Sequence, residues 1–482
     1  LDPLTAQPDA GVHDVSTLLY RSLLRLDSSE YPRGDLASSY TISSDGLTYT
    51  LPLQPGMVWS DGHPITTADV IATVRLATSS LSTDHPLAAA LAGVKVLAGG
   101  DTVQFLLSAP RASFATTLTQ LPILPLGDRT PAQITALARN PQTALPTSGP
   151  YFVDGDTMTT VTLRANPHAV TQPHLGQLAL NLYGSFDAAA AAFAHGDVDA
   201  VLATTPAERA RLLQTKGAHA ADIATFRFVD LLFNERTSGL DDPVVRHAFA
   251  SAVSRRSLVQ GALQGAAGVI QVDSMSEGIR WIATQNPSEP ASISQAASAL
   301  DADGWTVGPN GIRARGGIAL AFTVTVPDAA PLPQVAAELA SQMRPLGIAL
   351  EADLVPAQSF LQQSLVPHNF ETALGDWDNG PDPDVSAFWR SNAVPPAGYN
   401  VSGGQTDPFL DQALDSLATL SDEQARISAA AGVNRFLAAD APAVFLYTPQ
   451  VSFVFRVPMK DDLIPPAGDS AARYADFVQW QR

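Results

Sequence analysis

Cysteine is absent from the 482 residues, and with it go disulfide staples, thiolate zinc sites, iron–sulfur clusters and cysteine nucleophiles. Also missing is any uninterrupted apolar run of the roughly 18 residues that a membrane-spanning helix needs. Basic residues are scarce: 28 Lys and Arg stand against 47 Asp and Glu, a net charge of −19, and nowhere do Lys or Arg form a run. Such a surface repels a phosphate backbone, so nucleic acid and anionic membranes are poor partners, whereas a cationic or amphoteric small molecule is easier to accommodate. No Gly-x-Ser-x-Gly elbow, Walker loop or Gly-x-Gly-x-x-Gly turn occurs, which leaves serine hydrolase, nucleotidase and dinucleotide functions without local support. The nine histidines are scattered singly, without the spacing of a metal site, and neither metal nor cofactor is expected. The chain begins at Leu1-Asp2-Pro3 and reads as a mature domain trimmed of a leader.

What is present describes a folded protein of about three domains, since 45% of the residues are apolar and only 16% charged. Tyr40 and Ile42, then Leu47, Tyr49 and Leu51, alternate with polar residues around Asp45-Gly46, the pattern of a hairpin. Thr66 followed by Asp69 signals a helix start, with Val70, Ile71 and Val74 on one face. Six prolines between Leu121 and Pro150 mark a boundary. Beyond it, residues 177–183 read as a strand, 185–194 as an Ala-rich helix and 198–202 as a second strand, which together predict a parallel pair. Asp242-Pro243 opens a helix whose Val245, Ala248, Phe249 and Ala252 share a face, and Arg246 falls on its polar side. Residues 318–355 read as strand, helix and strand with Gly347 as the helix cap, leading to a third strand at 370–377. Ser421-Asp422-Glu423-Gln424 signals a last long helix, and two short strands, 444–447 and 451–457, end the pattern.

Two α/β cores in one chain leave a crevice, and ligands of such sheets gather beyond the carboxyl ends of the strands. The 370–377 strand runs directly into Asp378-Asn379-Gly380-Pro381-Asp382-Pro383-Asp384, with Trp389 and Arg390 soon after and Tyr399-Asn400 beyond. Alternate aspartates suggest calcium, but an EF-hand loop would place Pro381 or Pro383 where glycine is required. A stiff solvated turn and an organic-ligand site both remain consistent with the two prolines. Trp59, Trp281, Trp377, Trp389 and Tyr399 are candidates for cleft platforms, a core role being the alternative for each.

The motifs then converge. Leu36-Ala37, Ser44-Asp45-Gly46-Leu47-Thr48-Tyr49-Thr50 and Trp59-Ser60-Asp61-Gly62-His63-Pro64-Ile65-Thr66-Thr67-Ala68-Asp69-Val70 resemble the signature of family 5 solute-binding proteins, the dipeptide and oligopeptide receptors of ABC importers. Thr147-Ser148-Gly149-Pro150-Tyr151, Ala165-Asn166-Pro167, Gly196-Asp197-Val198-Asp199, Phe233-Asn234, Val245-Arg246-His247-Ala248-Phe249, Leu346-Gly347-Ile348 and Asp382-Pro383-Asp384 follow in the family's order. The likeness covers essentially the whole chain.

That resemblance implies an α/β bilobal clamp like the periplasmic binding proteins, two lobes joined by hinge strands, with an additional α+β domain. Residues 1–29, 146–228 and 445–482 would form the first lobe, 30–145 the additional domain and 229–444 the second lobe. It also implies an extracytoplasmic, lipid-anchored monomer that captures a peptide and passes it to ABC permease subunits, with no catalysis. Asp382 or Asp378 would hold the peptide's ammonium, and Trp377, Trp389, Tyr399 and Asn400 would line the site. Residues 261–281 lack the prolines usual for the family, and Ser254 stands where many members carry Asp. Another solute such as a sugar, metal chelate or opine-like compound, a lipoprotein scaffold without transport, and a hydrolase are the alternatives.

Overall fold

At φ 72°, Gly46 turns the chain between the strands Thr41–Ile42 and Thr48–Pro52, and that hairpin extends through Thr102–Leu106 to Lys95–Gly99 in one antiparallel sheet. The computed structural model describes residues 4, 10–82, 86–127, 129–138, 145–264, 268–270, 273–282, 292–403 and 407–456, with 468, 471 and 474. Period-two alternation puts Tyr49 and Leu51 inside and leaves their neighbours half-buried. Thr66 and Asp69 form a reciprocal cap on the helix Thr67–Ala77, whose Val70 and Val74 share a core with Trp59, Phe105 and Phe114. Leu18, Leu163, Ile223 and Phe453 belong to the same interior, so the additional domain is fused to the first lobe by continuous packing.

The expected parallel pair is not formed. Gln177–Asn181 pairs antiparallel with Thr160–Ala165, and Ala200–Ala203 pairs antiparallel with the last strand, Ala443–Phe455. The helix Phe186–His195 does form, capped by Ser185 and by Gly196 at φ 97°, but it joins two different sheets. Local pattern fixed the elements correctly; the partner of Ala200–Ala203 comes from the far end of the chain, where short-range periodicity carries no information.

In the second lobe the strand–helix–strand reading holds. Ala321–Pro327 and Ala349–Val355 are parallel, with the helix Leu332–Met343 between them and Gly347 at φ 83° after it. Thr372–Asp378 runs parallel to Ala321–Pro327 and antiparallel to Arg227–Phe233. The Arg227–Phe233 strand feeds two cores: Val229, Leu231 and Phe233 pack on one face of the sheet, Phe228 and Leu232 on the other. Covered on both faces, it is apolar from Phe228 to Phe233 with the one exception of Asp230.

Instead of two closing strands there is one, Ala443–Phe455. Its first half pairs with Arg227–Phe233 and its second half with Ala200–Ala203 and His219–Ala224. The two sheets therefore share a strand, and the chain crosses between them at Thr225 and Thr448-Pro449, where Thr225 donates from both N and Oγ1 to the Pro449 carbonyl at 2.9 and 2.8 Å. Residue 457 of the predicted strand lies outside the described residues.

Three smaller expectations change. Arg246 is buried, held by Glu235, Asp440 and the Leu240 carbonyl. Trp59 and Trp389 are core residues. The last helix, Glu423–Asp440, is capped by Asp422 accepting from Ala425 N at 2.8 Å. Among the described residues no helix is long and apolar enough to cross a membrane.

Candidate functional site

Asp376, Trp377 and Asp378 end a central strand of the second lobe, so alternation sends the middle residue to one face and its neighbours to the other. Arg227 lies opposite Asp378 in the ladder, yet its guanidinium turns to Asp376, with Nε and Nη2 at 3.1 and 2.5 Å from the two carboxylate oxygens. Burial raises the Asp376 pKa in spite of that pairing, and the neighbouring Asp378 adds to the effect. Asp378 itself is exposed; one oxygen accepts from Gly380 N at 2.9 Å, and among the described residues it forms no ion pair. Two carboxylates and one guanidinium leave this strand end with a net negative charge.

On the opposite face, Trp377 Nε1 donates to Asp230 Oδ1 at 3.1 Å. The indole fits only because residue 375 is glycine: a Cβ there would come within 2.1 Å of Trp377 Nε1 and 2.4 Å of Asp230 Oδ1. Asp230 is fully buried and its Oδ2 has no hydrogen-bond partner. Desolvation pushes its pKa up to about 7, the indole hydrogen bond opposing and the Asp376 charge assisting. Trp377 meets Phe388 at 5.3 Å and Tyr399 at 6.1 Å between ring centroids, and Tyr399 stacks on Phe388 at 5.8 Å. The outer ring, Tyr399, is 43% exposed.

The remaining expected residues do other work. Asp382 is buried, and Arg426 reaches its two oxygens at 2.6 and 3.1 Å while Thr116 Oγ1 donates to it at 3.1 Å. Arg426 also lies 5.3 Å from the ring of Trp281, which meets Tyr31 edge-on at 5.3 Å. With Ala112 N donating to Ala418 O at 2.8 Å and Arg280 Nη1 to Ser28 O at 3.0 Å, these contacts form a seam between the first third of the chain and the second lobe. Trp389 packs edge-on against Phe445 inside the lobe. Asn400 braces its own loop, donating to Arg390 O at 3.0 Å and accepting from Ser402 Oγ at 3.1 Å.

The structure thus brings Trp377 and Tyr399 together on one face, leaves Asp378 exposed at the strand end on the other, and draws Asp382, Trp389 and Asn400 into structural contacts. Sequence reasoning missed Asp230, Arg227, Arg426 and Thr116. A signal existed for Asp230, a lone charge inside the apolar run Phe228–Phe233; for Arg426 and Thr116, which meet a residue far off in sequence, there was none. Among the described residues no group of three or more His, Asp or Glu is placed to hold a metal ion. Chemically the strand end can pair a cation with Asp378, and the half-open Tyr399 ring can cover apolar surface on the face of Trp377.

Comparison with known proteins gives this bilobal α/β fold a family. The pattern of the bacterial extracellular solute-binding proteins, family 5 (middle region) matches residues 32–398, and the chain belongs to that family. Protein XP55 of Streptomyces lividans is 28% identical over 466 residues, covering 92% of this chain and 81% of that protein. A Brucella ovis protein described as an ABC transporter peptide-binding protein is 28% identical over 408 residues, covering 81% and 74%. Among solved structures, the murein tripeptide binding protein MppA in an unliganded open form superposes with a TM-score of 0.80 at 18% identity, covering 98% of this chain and 94% of that one. AppA of Bacillus subtilis with a nonapeptide gives 0.68 at 21% identity, covering 100% and 96%, and NikZ of Campylobacter jejuni with Ni(L-His) gives 0.72 at 20%, covering 100% and 97%. At these identities the structures share the fold.

Proposed function

We propose that this chain is the solute-capturing receptor of an ABC importer and that its solute is a peptide, held by its ammonium group at Asp378. The observation that carries this reading is the exposed Asp378 carboxylate at the carboxyl end of a central strand, without an ion-pair partner among the described residues, while the Arg227 opposite it in the ladder is taken by Asp376. A carboxylate opposite an ammonium, closed off from water as the lobes approach, gives a charge-assisted hydrogen bond without reading the rest of the molecule. Trp377 and Tyr399 would cover apolar parts of the ligand. The relatives described as peptide-binding proteins, and the nonapeptide in AppA, support the same choice.

In this proposal Asp382 serves the seam and not the ligand, the lobes are divided near the Thr225 and Thr448-Pro449 crossing, a few residues from the expected 229 and 445, and permease subunits are the receiving partner. A small chelate is the second reading, since the same fold holds Ni(L-His) in NikZ. Mass spectrometry of whatever is released on denaturing the purified protein tests the class of solute. Recovery of peptides supports the reading; recovery of a metal chelate or a sugar in their place rejects it.

A further inference from the structure

We infer that Glu277 is a second charge-reading group of the solute site, taking an ammonium or guanidinium of the captured molecule other than the one met by Asp378. This rests on the reading of the cleft as a solute site, and it narrows the solute to one with two positive groups.

The placement comes first. Ser276 Oγ donates to Thr225 O at 2.6 Å, Glu277 N donates to Thr448 Oγ1 at 3.0 Å, and Gly278 N donates to Ser276 Oγ at 3.0 Å. Thr225 and Thr448 are the residues at which the chain crosses from one sheet to the other. A Cβ on residue 278 would stand 2.2 Å from the Thr225 carbonyl oxygen, so the loop lies flat on the crossing strand and glycine is required there. The backbone of Glu277 is therefore fixed on the line about which the lobes meet. Thr225 precedes by two residues Arg227, the first residue of its strand and the partner of Asp378 in the ladder.

The side chain is the second observation. Glu277 is only partly buried, but its Oε1 is fully covered and has no hydrogen-bond partner. Two other acids with raised pKa values show what a structural role looks like: Asp230 receives an indole N–H, and Glu235 lies 3.3 Å from the Arg246 guanidinium. Among the described residues Glu277 Oε1 has no donor, and no counter-ion of Glu277 is found there. The arginines of the neighbourhood are engaged elsewhere, Arg227 with Asp376, Arg426 with Asp382 and Arg280 with the Ser28 carbonyl. A covered carboxylate oxygen without a donor costs free energy that a partner arriving with the solute would recover. Burial, helped by Asp273 on the same loop, pushes the Glu277 pKa up to about 7; the strands beneath the loop present Thr225 and Thr448, which carry no charge.

Calorimetry with defined probes tests this. Lys-Ala-Ala and Ala-Lys-Ala are compared with their norleucine counterparts on the parent, Glu277→Gln and Asp378→Asn. The parent should prefer at least one lysine probe by about tenfold or more, Glu277→Gln should abolish the preference, and Asp378→Asn should weaken lysine and norleucine probes alike. In the parent the preference should fade as pH drops through about 7, and in Glu277→Gln it should be flat. A lysine preference that survives in Glu277→Gln, or no lysine preference in a parent that binds the norleucine probes, overturns the inference. If the parent binds no peptide, the peptide reading fails separately, and putrescine, agmatine and arginine replace the peptides in a thermal-shift assay. Stabilisation of the parent that is lost in Glu277→Gln then sustains the role of Glu277, and stabilisation of neither overturns it.

Discussion

Arg426 holds both oxygens of Asp382, at 2.6 and 3.1 Å, in a buried position to which Thr116 brings a hydroxyl from the other side of the seam. Two charges removed from water together are strongly interdependent, because deleting one strands the other. Arg426→Met or Asp382→Asn should therefore lower unfolding stability by about 3–5 kcal/mol, read from chemical denaturation. Thr116→Val removes one hydrogen bond and should cost about 1–2 kcal/mol. A neutral effect of both charge deletions would show that the pair does not form in solution.

Asp378 should behave in the opposite way. It is exposed and makes one local hydrogen bond, so Asp378→Asn should change stability by less than about 0.5 kcal/mol. Peptide binding should weaken by about 2–5 kcal/mol, and acetylating the peptide amino terminus should have a similar effect on the parent. Calorimetry on the mutant and on acetylated peptides decides both points, and unchanged affinity in either experiment would move the ammonium site elsewhere.

Acid and base stability give a third test. The pKa of Asp230 rises from 3.8 to about 7, and those of Glu235 and Glu277 rise from 4.5 to about 7. Between these limits the native protein binds protons that the unfolded chain has released, so stability falls as pH rises from about 4 to 7 and stays low above. Asp230→Asn keeps an acceptor for the Trp377 indole and removes the charge. It should flatten part of this fall, raising stability at pH 8 by an amount on the order of 2–4 kcal/mol and leaving it nearly unchanged at pH 4. Denaturation curves at the two pH values, with Trp377 fluorescence as a local probe, check the sign. Equal effects at both would mean that Asp230 is ionised throughout.

Most of the elements were legible because their signals are local. Thr66 and Asp69, Asp242-Pro243 and Gly347 each state a helix boundary within a few residues, and all three boundaries are found. The site was legible only in part, for the same reason. Asp378 and Trp377 could be placed at a strand end from pattern alone, but whether a carboxylate is free or already paired depends on what the rest of the chain brings to it. Asp382 illustrates the limit: its partners stand 44 and 266 residues away in sequence, and nothing in Asp-Pro-Asp announces them.

The crossing at Thr225 and Pro449 should act as the hinge, because the two sheets are continuous there through paired strands and through the hydrogen bonds of Thr225. Small-angle scattering should give a smaller radius of gyration with saturating solute than without, and Thr225→Pro, which removes the backbone donor, should blunt the change. An unchanged radius in the parent would mean a rigid receptor.

Sharing one strand between two sheets also orders the making of the protein. Ala443–Phe455 lies beside Arg227–Phe233 in one sheet and beside both Ala200–Ala203 and His219–Ala224 in the other. A growing chain that has reached residue 440 holds nearly all of the side chains of both lobes, yet neither sheet has the strand that completes it. Both lobes then wait for the same thirteen residues, and they are finished together, so that a chain truncated before Ala443 loses two domains instead of one.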